Sequence, residues 1–407
     1  MNVSIENENL YHKRNRLNRL DRDEAIKTRK RIRNGGIVTV LIFLVIISLL
    51  NMTSVKLEGV YLKGIAVIRN HYIYMFLGAI LFVVTSKINY KIYERKKVIN
   101  LLLLISIISL LGVVIGSKIP ALRKFVPYIN GAIGWIRIGP FSIQPSEMMK
   151  LPFIIVMAKL LAKGEQDKYK TAGIIANVIG IVFVYTLLVF AQKDLGTTIH
   201  YLAIMTVMLF VSRIDMRFVI GISAIFSGFV GMLFYYVMFI GNHLDYGYRF
   251  RRVVSYVNGI LKNEYDLDMG YQVAQSLMAF GRGGVLGVGY ANGVQKYNYL
   301  PEANTDFVLA TFGEEFGFIG MILVLLLFLL LYNNIKRTAM ETPDYFGKYL
   351  ALGIGGYLIT QVLINIYVAL GMLPVFGIPM PFFSSGGTSI ITIFSALGII
   401  VNINRQR

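Results

Sequence analysis

Residues 306–333 read DFVLATFGEEFGFIGMILVLLLFLLLYN. The part after Glu315 carries no charge, and the whole stretch exceeds the roughly 20 mostly apolar residues that a membrane-spanning helix needs. The opening part nevertheless holds Asp306, Glu314 and Glu315. Each charge placed in hydrocarbon costs roughly 2 to 3 kcal/mol even on lenient insertion scales. Such acids must therefore sit in water, be paired, or take part in function.

Working outward, nine further stretches have the same apolar character: 36–54, 71–88, 98–117, 144–162, 171–191, 195–212, 217–240, 346–370 and 385–404. Of the 407 residues, 56% are hydrophobic and only 15% charged, which points to a membrane protein with little room for a soluble domain. The expectation is an all-α polytopic membrane protein with ten transmembrane helices. Lys and Arg gather in the tail before the first span, in the even-numbered connections and at the closing RQR, so both termini are expected to be cytoplasmic. Residues 1–35 form a basic tail, read as disordered or as a surface-lying helix. Residues 36–404 form the membrane domain, and 405–407 its cytoplasmic end. Residues 241–305 make a large extracellular loop between helices 7 and 8. A connection of that length is usually functional or disordered. This one contains YRFRRVVSYVNGIL, which sets Arg249, Arg251 and Arg252 beside Val253, Val254 and Tyr256 as an amphipathic helix.

The formal charge of +19 is explained by anionic headgroups at the cytoplasmic face. No nucleic-acid-reading motif accompanies it. With no cysteine, thiolate chemistry and disulfides are excluded. Neither HExxH nor GxSxG occurs, only four His are scattered along the chain, and GRGGVLGVG lacks the Lys-Ser/Thr of a phosphate loop. Any reaction must run on carboxylates and cations.

Four groups could supply them. If Asn304 or Thr305 caps the eighth helix, Asp306 lies in its first turn, where free amides and the macrodipole favour an ionised carboxylate. Glu314 and Glu315 then fall about 12 Å further along the axis and are expected to pair with a buried base. In QPSEMMK, Pro145 suits the first helical position, and Glu147 and Lys150 share a face three residues apart. FAQKDLGTT holds Lys193 and Asp194, which read as a solvated turn. LPVFGIPMPFFSSGGTS enters the last helix with three Pro and two adjacent Gly. Irregular backbone at that depth is tolerated only inside protein or beside a watery cavity.

Together, GAIGWIRIGPFSIQPSEMMK, QKDLGT, GYQVAQSLMAFGRGG, LPEANTDFVLATFGEEFGFIG and LPVFGIPMPFFSSGGTS resemble the SEDS family of bacterial membrane proteins, which includes FtsW, RodA and SpoVE, across residues 36–404. YRFRRVVSYVNG and AQSLMAFGRGG lean toward FtsW and SpoVE rather than RodA. The resemblance implies a peptidoglycan glycosyltransferase that polymerises lipid II at the outer face of the cytoplasmic membrane, in cell division or related septal and shape morphogenesis. Its implied partners are a class B penicillin-binding protein and other membrane proteins of the divisome or elongasome. The family's essential aspartate matches Asp306. The candidate substrate-binding residues are Trp135, Arg137, Gln144, Ser146, Glu147, Lys150, Lys193, Arg249, Arg252, Gln275, Glu302, Glu314 and Ser384. Where the family commonly has two basic residues before its Trp, this chain has Ile133 and Gly134, and Ser385 replaces the usual Tyr of the last motif.

The implied chemistry makes Asp306 a general base that accepts the proton of the acceptor sugar's 4-hydroxyl. Cations would receive the departing diphosphate. No cofactor is demanded, and Mg²⁺ or Mn²⁺ is a candidate aid. Two rival readings are a lipid II flippase or transporter, which needs charges lining a path open to either face, and a non-catalytic divisome scaffold, which needs no polar chamber.

Overall fold

The computed structural model describes residues 2–54, 61–129, 132–139, 141–166, 171–212, 269–297 and 299–406, together with 214, 217–221, 224, 228, 232 and 256. Most of the expected seventh span, and Arg249, Arg251 and Arg252 of the expected amphipathic helix, lie outside the described residues.

In chain order the elements are α1 (Asn2–Ser54), α2 (Tyr61–Lys87), α3 (Lys96–Lys118), β1 (Ile136–Ile138), β2 (Phe141–Ile143), α4 (Pro145–Met148), α5 (Lys150–Gln166), α6 (Thr171–Ala191), α7 (Leu195–Phe210), α8 (Met269–Gly283), α9 (Val308–Glu341), α10 (Tyr345–Ala369) and α11 (Gly387–Gln406). Among the described residues seven helices are long and apolar enough to cross a membrane: Lys30–Ser54, Ile65–Lys87, Lys96–Lys118, Gly173–Ala191, Val308–Glu341, Tyr345–Ala369 and Gly387–Gln406. Leu195–Phe210 is a shorter apolar helix. The fourth expected span is divided into α4 and α5, with Met149 alone between them. The basic tail is helical from Asn2 and runs straight into the first span, as its good helix formers and lack of Pro allow.

The helices differ sharply in how much protein surrounds them. In α11, 89% of the most apolar window is buried, against 17% in α3. The last helix is therefore the axis of the bundle, and α3 lies at its margin. Gly387 and Gly398 let α2 lie close against α11: a Cβ on the first would come within 2.1 Å of the Tyr74 ring, and on the second within 2.0 Å of Thr85 Oγ1. Small residues at such crossings allow the close backbone approach that drives packing in lipid. Further in, Phe153, Tyr185 and Tyr201 pack with ring centroids 5.2, 5.1 and 5.7 Å apart. The Tyr201 hydroxyl donates to the Ser146 carbonyl at 2.9 Å, which pins α7 to the start of α4.

The expectation of a purely helical chain needs one amendment. IRIGPFSI alternates on either side of Gly-Pro and folds as an antiparallel hairpin, with Ile136 opposite Ile143, Arg137 opposite Ser142 and Ile138 opposite Phe141.

A second correction concerns the opening stretch. Neither Asn304 nor Thr305 caps α9. The helix starts at Val308 with Phe307 as its N-cap and no side-chain capping bond. Asp306 therefore lies in the tight turn that precedes the helix, and the helical-wheel relation between it and the two glutamates does not apply. The helix also breaks at Gly317, whose φ of 65° and ψ of −168° favour glycine. Regular helix would pair the Glu314 and Glu315 carbonyls with the amides of Phe318 and Ile319. Instead Val288 and Gly289 donate to those carbonyls, both at 3.0 Å, while Phe318 and Ile319 donate to Gly284 and Val285 at 2.9 and 3.2 Å. The Gly-rich segment after α8 thus satisfies the broken helix, as backbone at membrane depth requires.

Candidate active site

A cavity of about 240 Å³ opens where several elements begin or turn. Val67, Asn70 and Tyr74 of α2, Trp135 and Ser142 of the hairpin region, Gln144 and Glu147 line it on one side. Thr305 and the segment Pro379 with Ser385–Ser389 line it on the other. The Tyr74 hydroxyl accepts from the Ser142 amide at 3.3 Å and donates to the Ser142 carbonyl at 3.2 Å, so it fixes the hairpin to α2.

Gln144 precedes Pro145, which takes the early helical position expected of it. The Gln144 amide donates to Thr388 Oγ1 at 3.1 Å, and its side chain donates to Asp194 Oδ2 at 2.8 Å. Asp194 belongs to no solvated turn. It is almost fully buried and caps α7, accepting from the Thr197 amide at 3.1 Å and the Thr197 hydroxyl at 2.9 Å. The turn reading fails because the carboxylate is consumed as an N-cap. Lys193 does stay exposed, with φ of 59°, and donates from Nζ to the Tyr128 hydroxyl at 2.9 Å.

Glu147 and Lys150 form a buried ion pair through Glu147 Oε1, and Lys150 Nζ lies 5.7 Å from the Tyr357 ring centre. Glu147 lines the cavity, and its second oxygen, Oε2, has no hydrogen-bond partner among the described residues. Lys150 is fully buried and does not line the cavity; Ser146 is equally buried. Arg137 is exposed on the hairpin opposite Ser142 and does not itself line the cavity.

Asp306 is half-buried and immediately follows Thr305. Its turn is anchored from three directions. Ser384 Oγ donates to the Thr305 carbonyl at 2.5 Å and accepts from the Met380 amide at 2.6 Å. The Ser385 amide donates to the Asn304 carbonyl at 2.8 Å. Asn365 Nδ2 donates to the carbonyls of both Asp306 and Ile378, each at 2.9 Å. One turn earlier on α10, Gln361 Nε2 donates to the Pro379 carbonyl at 2.7 Å and to Ser389 Oγ at 3.0 Å. Asn365 and Gln361 were not among the candidate residues. Their signal was available as two amides four residues apart inside an apolar span, where polar side chains are costly and seldom idle.

The remaining candidates do not line this cavity. Glu302 is exposed, with φ of 54°, and accepts from Thr305 Oγ1 at 2.6 Å. Glu314 is fully buried and accepts from the Val294 and Gln295 amides at 3.0 and 3.1 Å and from Arg282 at 3.5 Å. Glu315 accepts from Lys296 at 2.7 Å and from Ser54 at 2.5 Å. Glu315 thus has the buried base expected of the pair, Lys296, whereas the base beside Glu314, Arg282, is exposed, so Glu314 is held chiefly by backbone amides. Gln275 lies half-buried on α8 and does not line the cavity. Among the described residues no three His, Asp or Glu gather to hold a metal.

The cavity lies at the end of α2 and α11 remote from the chain termini. It contacts Val67 and Gly387, whereas Ser86 and Arg405 stand at the opposite ends of the same helices.

The sequence model of the FtsW, RodA and SpoVE family, described as "Cell cycle protein", matches residues 33–407. This chain belongs to that family. It is 40% identical over 278 residues to Stage V sporulation protein E of Bacillus subtilis, covering 68% of this chain and 72% of that one. It is 34% identical over 364 residues to the probable peptidoglycan glycosyltransferase FtsW of Trichlorobacter lovleyi, covering 88% and 89%. Rod shape determining protein RodA of Thermus thermophilus shares the fold, with a TM-score of 0.63 and 23% identity over 91% of this chain and 96% of that one. A chain of a peptidoglycan synthase complex, from work on its coordination of polymerization and crosslinking, gives a TM-score of 0.69 at 23% identity over 91% and 97%. Like its relatives, the FtsW/RodA/SpoVE-family chain is a multi-pass membrane protein.

Proposed function

We infer that this chain is a peptidoglycan glycosyltransferase polymerising lipid II, of the FtsW and SpoVE kind, acting in cell division or related shape morphogenesis. The observation that carries the reading is the cavity that brings Trp135, Gln144 and Glu147 to the turn bearing Thr305 and Asp306. Relatives named as peptidoglycan glycosyltransferases at 31 to 34% identity support the reaction class.

The finer topology is ten transmembrane helices with both termini cytoplasmic. α4 with α5, α7 and the stretch 217–240 supply the three crossings beyond the seven long helices. This orientation turns the cavity toward the outer leaflet, where a lipid-linked disaccharide would enter from the side.

In the reaction, Asp306 takes the proton from the acceptor's 4-hydroxyl. That oxygen then bonds to the donor's anomeric carbon with inversion, while the bond from this carbon to the diphosphate oxygen breaks. The lipid diphosphate leaves as an anion. A turn tied at Asn304, Thr305 and Asp306 holds the carboxylate without reorganisation during the step. The exposed cations Arg137 and Lys193, with Arg249 and Arg252, are assigned to the diphosphate. Lys150 acts instead through Glu147, keeping one carboxylate oxygen fixed and the other directed to substrate. A class B penicillin-binding protein is the proposed partner for crosslinking the product.

The test is reconstitution in proteoliposomes with lipid II and a class B partner. Glycan strands visible on a gel are expected. Transbilayer movement of lipid II without polymer would favour a flippase, and neither activity would favour a scaffold.

A further inference from the structure

A second opening, of about 640 Å³, lies at the far ends of the same helices that frame the first. Lys30, Arg31, Asn34, Gly35 and Val38 of α1 line it, with Phe82 and Ser86 of α2 and Val401 and Arg405 of α11. Three of these residues are cations, none is an acid, and Val38, Phe82 and Val401 supply an apolar floor. The neighbouring Arg33 is excluded from this role because it pairs with Glu341 at 2.6 Å. Asn404 Nδ2 donates to the Lys30 carbonyl at 3.0 Å and to Asn34 Oδ1 at 2.6 Å, so α1 and α11 are locked together beside the cleft and its width is set by the fold.

An independent observation comes from the glycine pair that α1 carries here. Glycine inside a helix costs stability relative to alanine and therefore calls for a reason. At Gly36 a Cβ would make only ordinary contact, 3.5 Å from the Asn334 side chain. At Gly35, which lines the cleft, a Cβ would meet nothing within 4 Å. The backbone at Gly35 is therefore open to the cleft, with room for a molecule to lie against it. The cleft stands where three candidate spans end, at Lys30, Lys87 and Gln406, which is headgroup depth.

We propose that this cleft binds the headgroup of an anionic phospholipid. The phosphate meets Arg31 and Arg405, the glycerol backbone passes over Gly35, and the acyl chains descend along Val38, Phe82 and Val401. Basic pockets between membrane helices are suited to such headgroups. The inference does not depend on the catalytic reading, because the two openings share no residue.

The experiment uses the full chain in phosphatidylcholine nanodiscs doped with photoreactive phosphatidylglycerol, with crosslinks mapped by mass spectrometry. Saturable labelling of residues 30–38, 82–86 and 401–405 is expected, displaced by unlabelled phosphatidylglycerol. Arg31→Gln with Arg405→Gln should raise the half-saturating fraction about thirtyfold, and the corresponding Lys substitutions should restore it. Gly35→Phe should block labelling with every charge in place. Labelling no stronger than that by a phosphatidylcholine probe, labelling unchanged in Gly35→Phe, or displacement by soluble glycerol phosphate alone would each overturn the proposal.

Discussion

Glu147 and the Glu314–Glu315 pair are all carboxylates buried within one apolar bundle, but their oxygens are used differently. Every carboxylate oxygen of Glu314 and Glu315 accepts a hydrogen bond, from Val294, Gln295, Arg282, Lys296 or Ser54. These acids clasp the Gly-rich segment to the break in α9 and have nothing left to offer a ligand. Glu147 gives one oxygen to Lys150 and keeps Oε2 unpartnered among the described residues, in a wall of the cavity. Leaving a buried acceptor unsatisfied costs about 1 to 3 kcal/mol, a cost that binding of a polar substrate would remove. On the proposed reading, the fully satisfied pair serves as scaffold and Glu147 Oε2, beside the cavity, is the oxygen left for substrate.

The sharpest way to break this contrast is to unpair the clasp. Glu315→Gln leaves Lys296 buried without its counter-charge and should destabilise the protein by about 3 to 5 kcal/mol, read as a large fall in melting temperature in detergent. A wild-type melting curve would remove the clasp from the account. Gly317→Ala should follow, at about 1 to 3 kcal/mol for the positive φ alone, with a further clash because its Cβ would lie 2.3 Å from the Gly287 amide nitrogen.

On the cavity side, Ser384→Ala frees the Met380 amide and the Thr305 carbonyl. It should cost about 1 to 2 kcal/mol and lower polymerisation about tenfold in assays matched for folded protein. The smallest stability change belongs to the paired replacements. Glu147→Met with Lys150→Met, and Glu315→Met with Lys296→Met, each remove both members of a buried ion pair and should leave stability near wild type. Only the first should abolish polymerisation. If the second were equally inactive, the division into scaffold and site would be wrong.

How much of this was readable from the chain varies by element. The long apolar helices announce themselves because hydrocarbon tolerates so few charges, and the Pro145 start of α4 and the Glu147–Lys150 pair follow from local rules. The start of α9 was misplaced because Asn304 and Thr305 look like caps, whereas their backbone carbonyls are taken by Ser385 and Ser384 from 80 residues away in sequence. Asp194 looked solvated because its charge neighbours Lys193; its capping of Thr197, three residues on, follows a local rule that the turn reading passed over, whereas nothing local reveals that Gln144 also draws on it. The hairpin was hidden by the helical expectation for the whole chain. Long-range hydrogen bonds, rather than patterning, assemble the site.

The most direct test of the central claim is Asp306→Asn, assayed for glycan strands from lipid II in proteoliposomes with a class B partner. The carboxamide keeps the size of the side chain but cannot take the acceptor's proton. The account predicts no polymer above background, with melting temperature and lipid II binding unchanged. Polymerisation at the wild-type rate would contradict it.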